Sequence, residues 1–298
     1  MAYNGLLPVY KEKGYTSFDV VACLRKILNQ KKIGHTGTLD PDACGVLPVC
    51  LGNATRLADM LTDSGKTYRA TMLLGVRTDT QDLSGNVLEE KEPVSDSLRI
   101  EEALFSFVGK YDQVPPMYSA LKVHGKKLCD LARQGIEVER KPRTVEIYGI
   151  EIHGIKDALV DFTVECSKGT YIRTLIDDVG VKLGCGACMK ELLRTKSGGF
   201  SLDDCLKLSD IERAVHTSEI NNIIIKPDAV FKDLPGINTL AEFDRLLYNG
   251  NKLYPEMLEG DFKAADNEMF KVYDSKGIFT AIYKREDDIF RIKYYFGE

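Results

Sequence analysis

Alternation of apolar and polar side chains predicts several strands. The clearest case is residues 66–74, where every second residue is apolar. One face of that strand would hold Tyr68, Ala70, Met72 and Leu74. Further strands are predicted at 46–51, 143–152 and 159–166. The lengths of these runs are typical of strands rather than of helices, so a sheet is expected to form the centre of the protein.

Apolar residues at helical spacing predict helices between these strands. The first helix is expected after Thr16, where Asp19 completes a capping box, and it should end near Gln30. A second helix should follow Gly169 and end at Gly184. Other helices are expected after Asn53, over 100–107 up to Gly109, and in the residues before Gly135. The segments 31–45 and 114–125 are punctuated by glycine and proline and are predicted to be loops.

These elements predict an α+β fold with a mixed, largely antiparallel sheet and flanking helices. Strands outnumber what a regular alternation of strand and helix would give, and the connections between them are short. The pattern changes near residue 230. A short helix at 240–248 is followed by small strands, which predicts a β-rich terminal domain. We therefore expect a main domain over 1–232 and a small domain over 233–298.

Composition adds little to this picture except for the cysteines. The chain has 298 residues, of which 44% are hydrophobic and 29% charged, as in an ordinary globular protein. No signal peptide or membrane-spanning run is recognisable, so a cytoplasmic protein with reduced cysteines is expected. Cys185 and Cys188 form a lone C-x-x-C. A zinc site needs further ligands nearby, so two inert buried thiols are the favoured interpretation, and no metal is expected.

The distribution of charge is uneven. The net charge of −5 is unusual for a protein that binds nucleic acid. Residues 122–143, however, hold seven Lys or Arg against three acidic residues, whereas residues 234–298 hold nine against twelve. A basic run on its own is as readily a solvated face as a phosphate-binding surface, so both interpretations stay open at this point.

Candidate chemistry is sparse by pattern alone. The sequence has no Ser-His-Asp order, no phosphate-binding P-loop and no dinucleotide-binding glycine pattern. Asp40 precedes a proline in the predicted loop, where an aspartate commonly serves only the turn. Arg173 lies at the start of a predicted helix, which the helix dipole disfavours. Such an arginine would pair either with an anion at the surface or with a buried aspartate.

Four segments of the chain resemble the TruB-type tRNA pseudouridine synthases. They are KIGHTGTLDPDACGVLPVCLGNATR (32–56), KTYRATMLLGVRTDTQD (66–82), VPPMYSALKVHGKKLCDLARQGIEV (114–138) and SKGTYIRTLIDDVGVKLGCGA (167–187). The resemblance runs in order from about Gly5 to Phe200, and several independent motifs in the correct order make it specific. It implies the pseudouridine-synthase fold and a PUA-like module for the terminal domain.

The resemblance also implies the site residues. Asp40 would be the nucleophile and Arg173 its ionic partner. Tyr68 would be the ring on which a flipped uridine stacks, and also a candidate catalytic residue that removes the C5 proton. His35 would meet the RNA, and Tyr171 and Leu192 would line the pocket. The basic segment would belong to an RNA-gripping insertion at about 110–143, and its candidate contacts are Lys122, Lys126, Lys127 and Arg143. The chain departs from the family at Lys11, which lacks the usual following proline, and this weakens any role for that lysine.

The function that the resemblance implies is isomerisation of uridine 55 in the TΨC loop of tRNA, by base flipping and without a cofactor. The partner would be the TΨC stem-loop, and we expect a monomer. Burial should raise the pKa of Asp40, and a nearby Arg173 should lower it. Two alternatives stay open: a non-catalytic RNA-binding or RNA-folding protein on the same scaffold, and a synthase for another RNA uridine.

Overall fold

The computed structural model describes residues 2–123 and 125–297. A sheet of nine strands crosses the main domain. The elements up to the middle of this sheet are β1 (Gly5–Lys11), α1 (Ser17–Ile27), β2 (Ile33–His35), β3 (Cys44–Leu51), a 3-10 helix (Gly52–Leu57), α2 (Ala58–Thr62) and β4 (Lys66–Leu74).

Two small hairpins and an insertion follow β4. The elements are β5 (Val76–Thr78), β6 (Val87–Glu90), α3 (Ser97–Phe105), β7 (Gly109–Gln113), β8 (Lys122–Val123), β9 (Lys126–Lys127) and α4 (Leu128–Ala132). The segment predicted to be a loop at 114–125 therefore carries the first strand of a two-stranded ribbon, β8 paired with β9. His124 lies outside the described residues. The extent of the insertion, 110–143, stays a prediction.

The rest of the main domain closes the sheet. Its elements are β10 (Arg143–Lys156), β11 (Leu159–Cys166), α5 (Ile172–Leu183), β12 (Ala187–Ser197), β13 (Phe200–Ser201), a 3-10 helix (Leu202–Asp204), α6 (Leu208–His216), α7 (Ile220–Ile223) and a 3-10 helix (Pro227–Phe231). The order of strands in the sheet is β1-β3-β12-β4-β11-β10-β7, with β2 paired to β3 and β13 to β12. The pairing of β12 with β3 is parallel, whereas the other neighbours in the sheet are antiparallel. The predicted mixed, largely antiparallel α+β fold is confirmed.

Helices cover the sheet in two places. α1 and α6 enclose one apolar cluster against β1 and β3, where Val20 and Leu24 are buried. α3 and α5 enclose a larger one against β4, β11 and β10, where Leu175 and Val179 are buried. The predicted caps are both present: Thr16 and Asp19 form the capping box of α1, and α5 ends at a left-handed Gly184. No helix in the described ranges is long and apolar enough to span a bilayer.

The terminal residues form a separate small sheet. Its strands are β14 (Gly236–Asn238), β15 (Met269–Tyr273), β16 (Phe279–Glu286) and β17 (Ile289–Tyr295), with 3-10 turns at Ala241–Phe243 and Pro255–Met257 and α8 at Asp244–Tyr248. It has its own core around Phe270 and Tyr283. A further apolar cluster joins it to the main domain through Leu57, Phe231 and Phe296. The division at 232/233 stays a prediction.

Close packing of α5 on β12 depends on Gly180. A Cβ at that position would lie 2.1 Å from the backbone nitrogen of Ala187 and 2.4 Å from the carbonyl carbon of Gly186. Alanine is the better helix former by about 1 kcal/mol, but overpacking of this kind costs about 1–3 kcal/mol. The added Cβ would meet backbone atoms, which cannot easily move away. We therefore expect the cost of overpacking to exceed the gain in helix propensity.

We therefore predict that Gly180→Ala lowers the free energy of unfolding by up to about 2 kcal/mol, which is the overpacking cost less the gain in helix propensity. Urea denaturation followed by circular dichroism would measure it. Gly149→Ala is the matched control, because no atom lies within 4 Å of the added Cβ. A variant at Gly180 as stable as the control would contradict the argument.

Candidate active site

Hydrogen bonds on both sides of Asp40 hold its loop against neighbouring segments. The amide of Leu39 donates to the Ser17 hydroxyl at 2.9 Å, at the start of α1. The carbonyl of Pro41 accepts from the Gly14 amide at 2.9 Å. Both residues that flank Asp40 are therefore tied to fixed backbone, which restricts the directions in which its carboxylate can point. The first part of this segment, predicted as loop, forms the short strand β2.

Lys11 also binds the loop that carries Asp40. This contact was not predicted from the sequence. Its side chain is fully buried, and Nζ donates to the carbonyls of Pro41 and Glu12, each at 3.1 Å. Burial lowers the pKa of Lys11, and the nearby Asp40 opposes that shift. Lys11 therefore contacts the loop even though the proline that usually follows it in the family is absent.

Arg173 binds Asp40 through a salt bridge and one hydrogen bond. Its Nε lies 2.9 Å from one carboxylate oxygen of Asp40, and its Nη2 donates to the other at 3.1 Å. The guanidinium is buried, in the first turn of α5, and its remaining contacts are the carbonyls of Thr80 at 2.9 Å and Tyr118 at 3.0 Å. Arg173 is therefore paired with an aspartate, and that aspartate is half-buried, with its side chain 35% exposed.

A second carboxylate faces the same guanidinium. Asp82 Oδ2 lies 3.5 Å from Arg173 Nη1. The other oxygen of Asp82 accepts from the Thr80 hydroxyl at 2.7 Å and from the Ser84 amide at 3.0 Å, which fixes the turn after β5. Asp82 is the last residue of the motif 66–82, yet no pattern in the sequence singled it out. Its position becomes evident only when the turn is folded against α5.

These charges act on Asp40 in opposite directions. Burial is the largest effect and raises the pKa of Asp40 above its ordinary value; the negative charge of Asp82 raises it as well, whereas Arg173 lowers it. The net direction is upward. The effects of burial and of the arginine were predicted from the sequence, whereas the effect of the second carboxylate was not.

The predicted pocket residues lie on two neighbouring strands and at the start of α5. Tyr68 is 7% exposed and shares an apolar cluster with Leu39 and Leu192, which is also 7% exposed. Tyr171 precedes α5, and Gln113 binds its backbone amide at 2.8 Å and its carbonyl at 3.0 Å. Burial raises the pKa of both tyrosines, so both hydroxyls are protonated at neutral pH.

His35 and the basic residues lie on other parts of the surface. His35 is in β2, and its Nδ1 accepts from the Gly37 amide at 3.3 Å. Burial lowers its pKa, which favours the neutral ring. Three lysines are exposed on the ribbon, and Arg143 is exposed at the start of β10; the lysines are Lys122, Lys126 and Lys127. The insertion reaches the centre of the site through the Tyr118 carbonyl bound by Arg173.

The cysteines contribute no metal centre. All eight are free, and Cys185 and Cys188 are buried. Burial raises the pKa of Cys188 to about 11, which disfavours the thiolate that a metal requires. Within residues 2–123 and 125–297, no group of three or more His, Cys, Asp or Glu is arranged to hold a metal ion.

Comparison with known families identifies the scaffold. A model described as TruB family pseudouridylate synthase (N terminal domain) matches residues 25–172. A second, described as tRNA pseudouridylate synthase B C-terminal domain, matches residues 173–229. A tRNA pseudouridine synthase B from Lachnoclostridium phytofermentans is 48% identical over 95% of this chain and 96% of its own length. The chain belongs to the TruB family.

Other relatives of this TruB family chain agree. A tRNA pseudouridine synthase B from Clostridium acetobutylicum is 45% identical, and the match covers 97% of this chain and 98% of the relative. Among solved structures, a Cbf5-Nop10-Gar1 complex gives a TM-score of 0.72 at 28% identity, covering 98% of this chain and 84% of that one. An H/ACA RNP bound to a substrate RNA containing 2'-deoxyuridine gives 0.70 at 26% identity, with coverage of 99% and 85%.

The two family models meet between residues 172 and 173. Asp40 lies in the first matched region and Arg173 is the first residue of the second. The ion pair therefore joins the two regions that define the TruB family in this chain, and β12, which lies between β3 and β4, belongs to the second.

The opposing effects on Asp40 generate a prediction. Asp82→Asn removes a negative charge that raises the pKa of Asp40, so that pKa should fall. The carboxyl carbon of Asp40 can be followed by NMR in protein labelled at aspartate, with Asp40→Asn to assign the resonance. Asp79→Asn is the control, since Asp79 is in the same turn but binds Asn86. A titration midpoint for Asp40 that stays in place, or rises, in Asp82→Asn would show that Asp82 does not act on it by charge.

Proposed function

We propose that this chain isomerises uridine 55 in the TΨC loop of tRNA to pseudouridine, with Asp40 as the nucleophile. The observation that carries the proposal is the ion pair of the half-buried Asp40 with the buried Arg173 in a member of the TruB family. A protein that only bound RNA would gain nothing from burying an arginine to hold one carboxylate in this way, because burial of a charge is costly.

The reaction rearranges one molecule and needs no redox partner. The bond between ribose C1′ and base N1 breaks, a bond between C1′ and base C5 forms, and the hydrogen on C5 leaves as a proton while N1 gains one. Asp40 would act as a carboxylate, either on the base or at the ribose. Arg173 would keep it ionised against the effect of burial, and its own contacts with two carbonyls would hold the pair in place.

Access to the uridine requires that the base leave its stack in the RNA. Flipping costs a few kcal/mol, and stacking on an aromatic ring returns roughly 1–3 kcal/mol. Tyr68 is the ring proposed for this contact, with Leu192 and Tyr171 beside it. Since Tyr68 is only 7% exposed, we infer that the entering base displaces the apolar side chains that cover the ring, Leu39 among them.

The proposal extends to the partner and its contacts. We infer that phosphates of the TΨC stem-loop meet the exposed lysines of the β8–β9 ribbon and Arg143, that His35 contacts the loop, and that the β-rich terminal domain is a PUA-like module. The enzyme would act as a monomer in the cytoplasm and without a cofactor. The position of the ribbon supports this arrangement. Tyr118, four residues before β8, accepts a hydrogen bond from Arg173, so the ribbon follows closely on a residue of the site.

The first test is release of tritium from a tRNA transcript labelled at uridine C5, because isomerisation expels that hydrogen. We predict release by the wild type and only background release by Asp40→Asn. Asp42→Asn is the matched control: it removes an exposed carboxylate two residues along the same loop and should release tritium as the wild type does. Binding of the transcript without any release by the wild type would favour the RNA-binding alternative, or a synthase for another uridine.

A second prediction concerns the ribbon. Replacing Lys122, Lys126 and Lys127 together by alanine should weaken tRNA binding and flatten its salt dependence by about 2–3 in the slope of log K against log [salt], since each lost phosphate contact removes roughly 0.7–0.9. Three exposed lysines of the same domain, Lys207, Lys226 and Lys232, provide the control. An unchanged salt slope in the ribbon variant would refute the assignment.

A further inference from the structure

Arg194, in the middle of β12, is completely buried, yet carbonyl groups are its partners in place of a carboxylate. Its Nε donates to the Val46 carbonyl at 2.7 Å, its Nη2 to the Gly37 carbonyl at 3.2 Å and its Nη1 to the Thr38 carbonyl at 3.4 Å. Within the part of the chain that the structure describes, it forms no ion pair with Asp or Glu. A buried charge with neutral partners is expensive, so a stabilising role alone is a poor explanation for it.

The three carbonyls bracket the loop that carries Asp40. Gly37 and Thr38 precede Asp40, and Val46 follows it, so one guanidinium joins both ends of the loop. β12 also pairs in parallel with β3 at this point, where Arg194 lies opposite Gly45. A Cβ on Gly45 would lie 2.2 Å from the Arg194 carbonyl, so the two backbones are in direct contact.

Arg194 also connects this loop to the strand that bears Tyr68. In the antiparallel pairing of β12 with β4, Arg194 lies directly opposite Tyr68. Residues paired in this way point to the same face of a sheet. Arg194 therefore binds the loop that carries Asp40 and also lies beside Tyr68, the proposed stacking ring.

We propose that Arg194 is a positioning residue for the reaction: by binding the carbonyls on both sides of Asp40, it fixes the carboxylate in the geometry in which Arg173 can grip it. This inference rests on the proposed function for its relevance to catalysis, although its geometric part does not. The planar fork of arginine is essential to it, because a lysine at the same place would keep the charge but could not reach three carbonyls at once.

Arg194→Lys therefore separates positioning from charge. With the loop less constrained, the salt bridge and the hydrogen bond from Arg173 to Asp40 should weaken, and their lowering effect on the pKa of Asp40 should diminish. The charged groups that act on Asp40 are Arg173, Asp82 and Lys11, and the substitution changes none of them. A simple packing defect would leave this pKa in place.

The experiment combines two readouts on the same proteins. The titration of the Asp40 carboxyl carbon is followed by NMR, and single-turnover tritium release and tRNA affinity are measured beside it. For Arg194→Lys we expect a higher pKa for Asp40 and at least a tenfold slower release, with the dissociation constant for tRNA changed by less than twofold. Arg69→Lys is the control, since Arg69 is an exposed arginine of the neighbouring strand that pairs with Asp161, and it should match the wild type in all three.

An unchanged pKa of Asp40 in Arg194→Lys, or a raised pKa with an unchanged rate, would overturn the proposal. If that variant does not fold, Gly37→Ala replaces it and is judged by the same two results. The added methyl would lie 3.8 Å from Arg194 Nη1 and disturb the positive φ of Gly37, and so displace the carbonyl that the guanidinium binds. Absence of tritium release by the wild type would defeat the proposed function, while the NMR titration would still decide whether Arg194 positions Asp40.

Discussion

The arrangement of the main domain depends on one ion pair, in which the buried Arg173 meets the half-buried Asp40. Desolvation of two ions costs several kcal/mol for each, and their attraction offsets it only when the geometry is good and the remaining donors are satisfied. Here the remaining donors of Arg173 are satisfied by backbone carbonyls from two separate loops. Those loops must therefore fold against the start of α5 for the pair to be tolerated, which couples the site to the fold.

The contacts around the pair come from three parts of the main domain. Lys11 of β1 and Arg194 of β12 bind the carbonyls of Pro41 and Val46. The turn at Asp82 is held by its own hydrogen bonds. The ribbon is a two-residue pairing with exposed lysines. In the proposed function, the carboxylate needs precise placement, whereas contacts with phosphates require only accessible charges.

Where the sequence predicted well, one physical signal dominated. β4 was predicted with its observed bounds because one face is buried and the other is not, which produces regular alternation. β12 was missed for the opposite reason: it is irregular in register, and it buries an arginine near its middle. β1 was missed because Pro8 and a continuous apolar run disguise a strand. The residues of the candidate site were predicted from the resemblance. The backbone carbonyls of Thr80 and Tyr118, which accept from Arg173, could not be predicted, because any residue type carries a carbonyl.

The opposing shifts on Asp40 have a chemical logic. A carboxylate that was paired with arginine alone, in a polar setting, would have a depressed pKa and would be a weak nucleophile, because nucleophilicity falls with basicity. Burial and the charge of Asp82 raise the pKa of Asp40, whereas Arg173 lowers it and so favours the ionised form. Lys11 and Arg194 bind backbone carbonyls of the loop rather than the carboxylate itself. In the proposed mechanism, positioning and reactivity are therefore assigned to different side chains: Arg194 to the first, and the balance of Arg173 and Asp82 to the second.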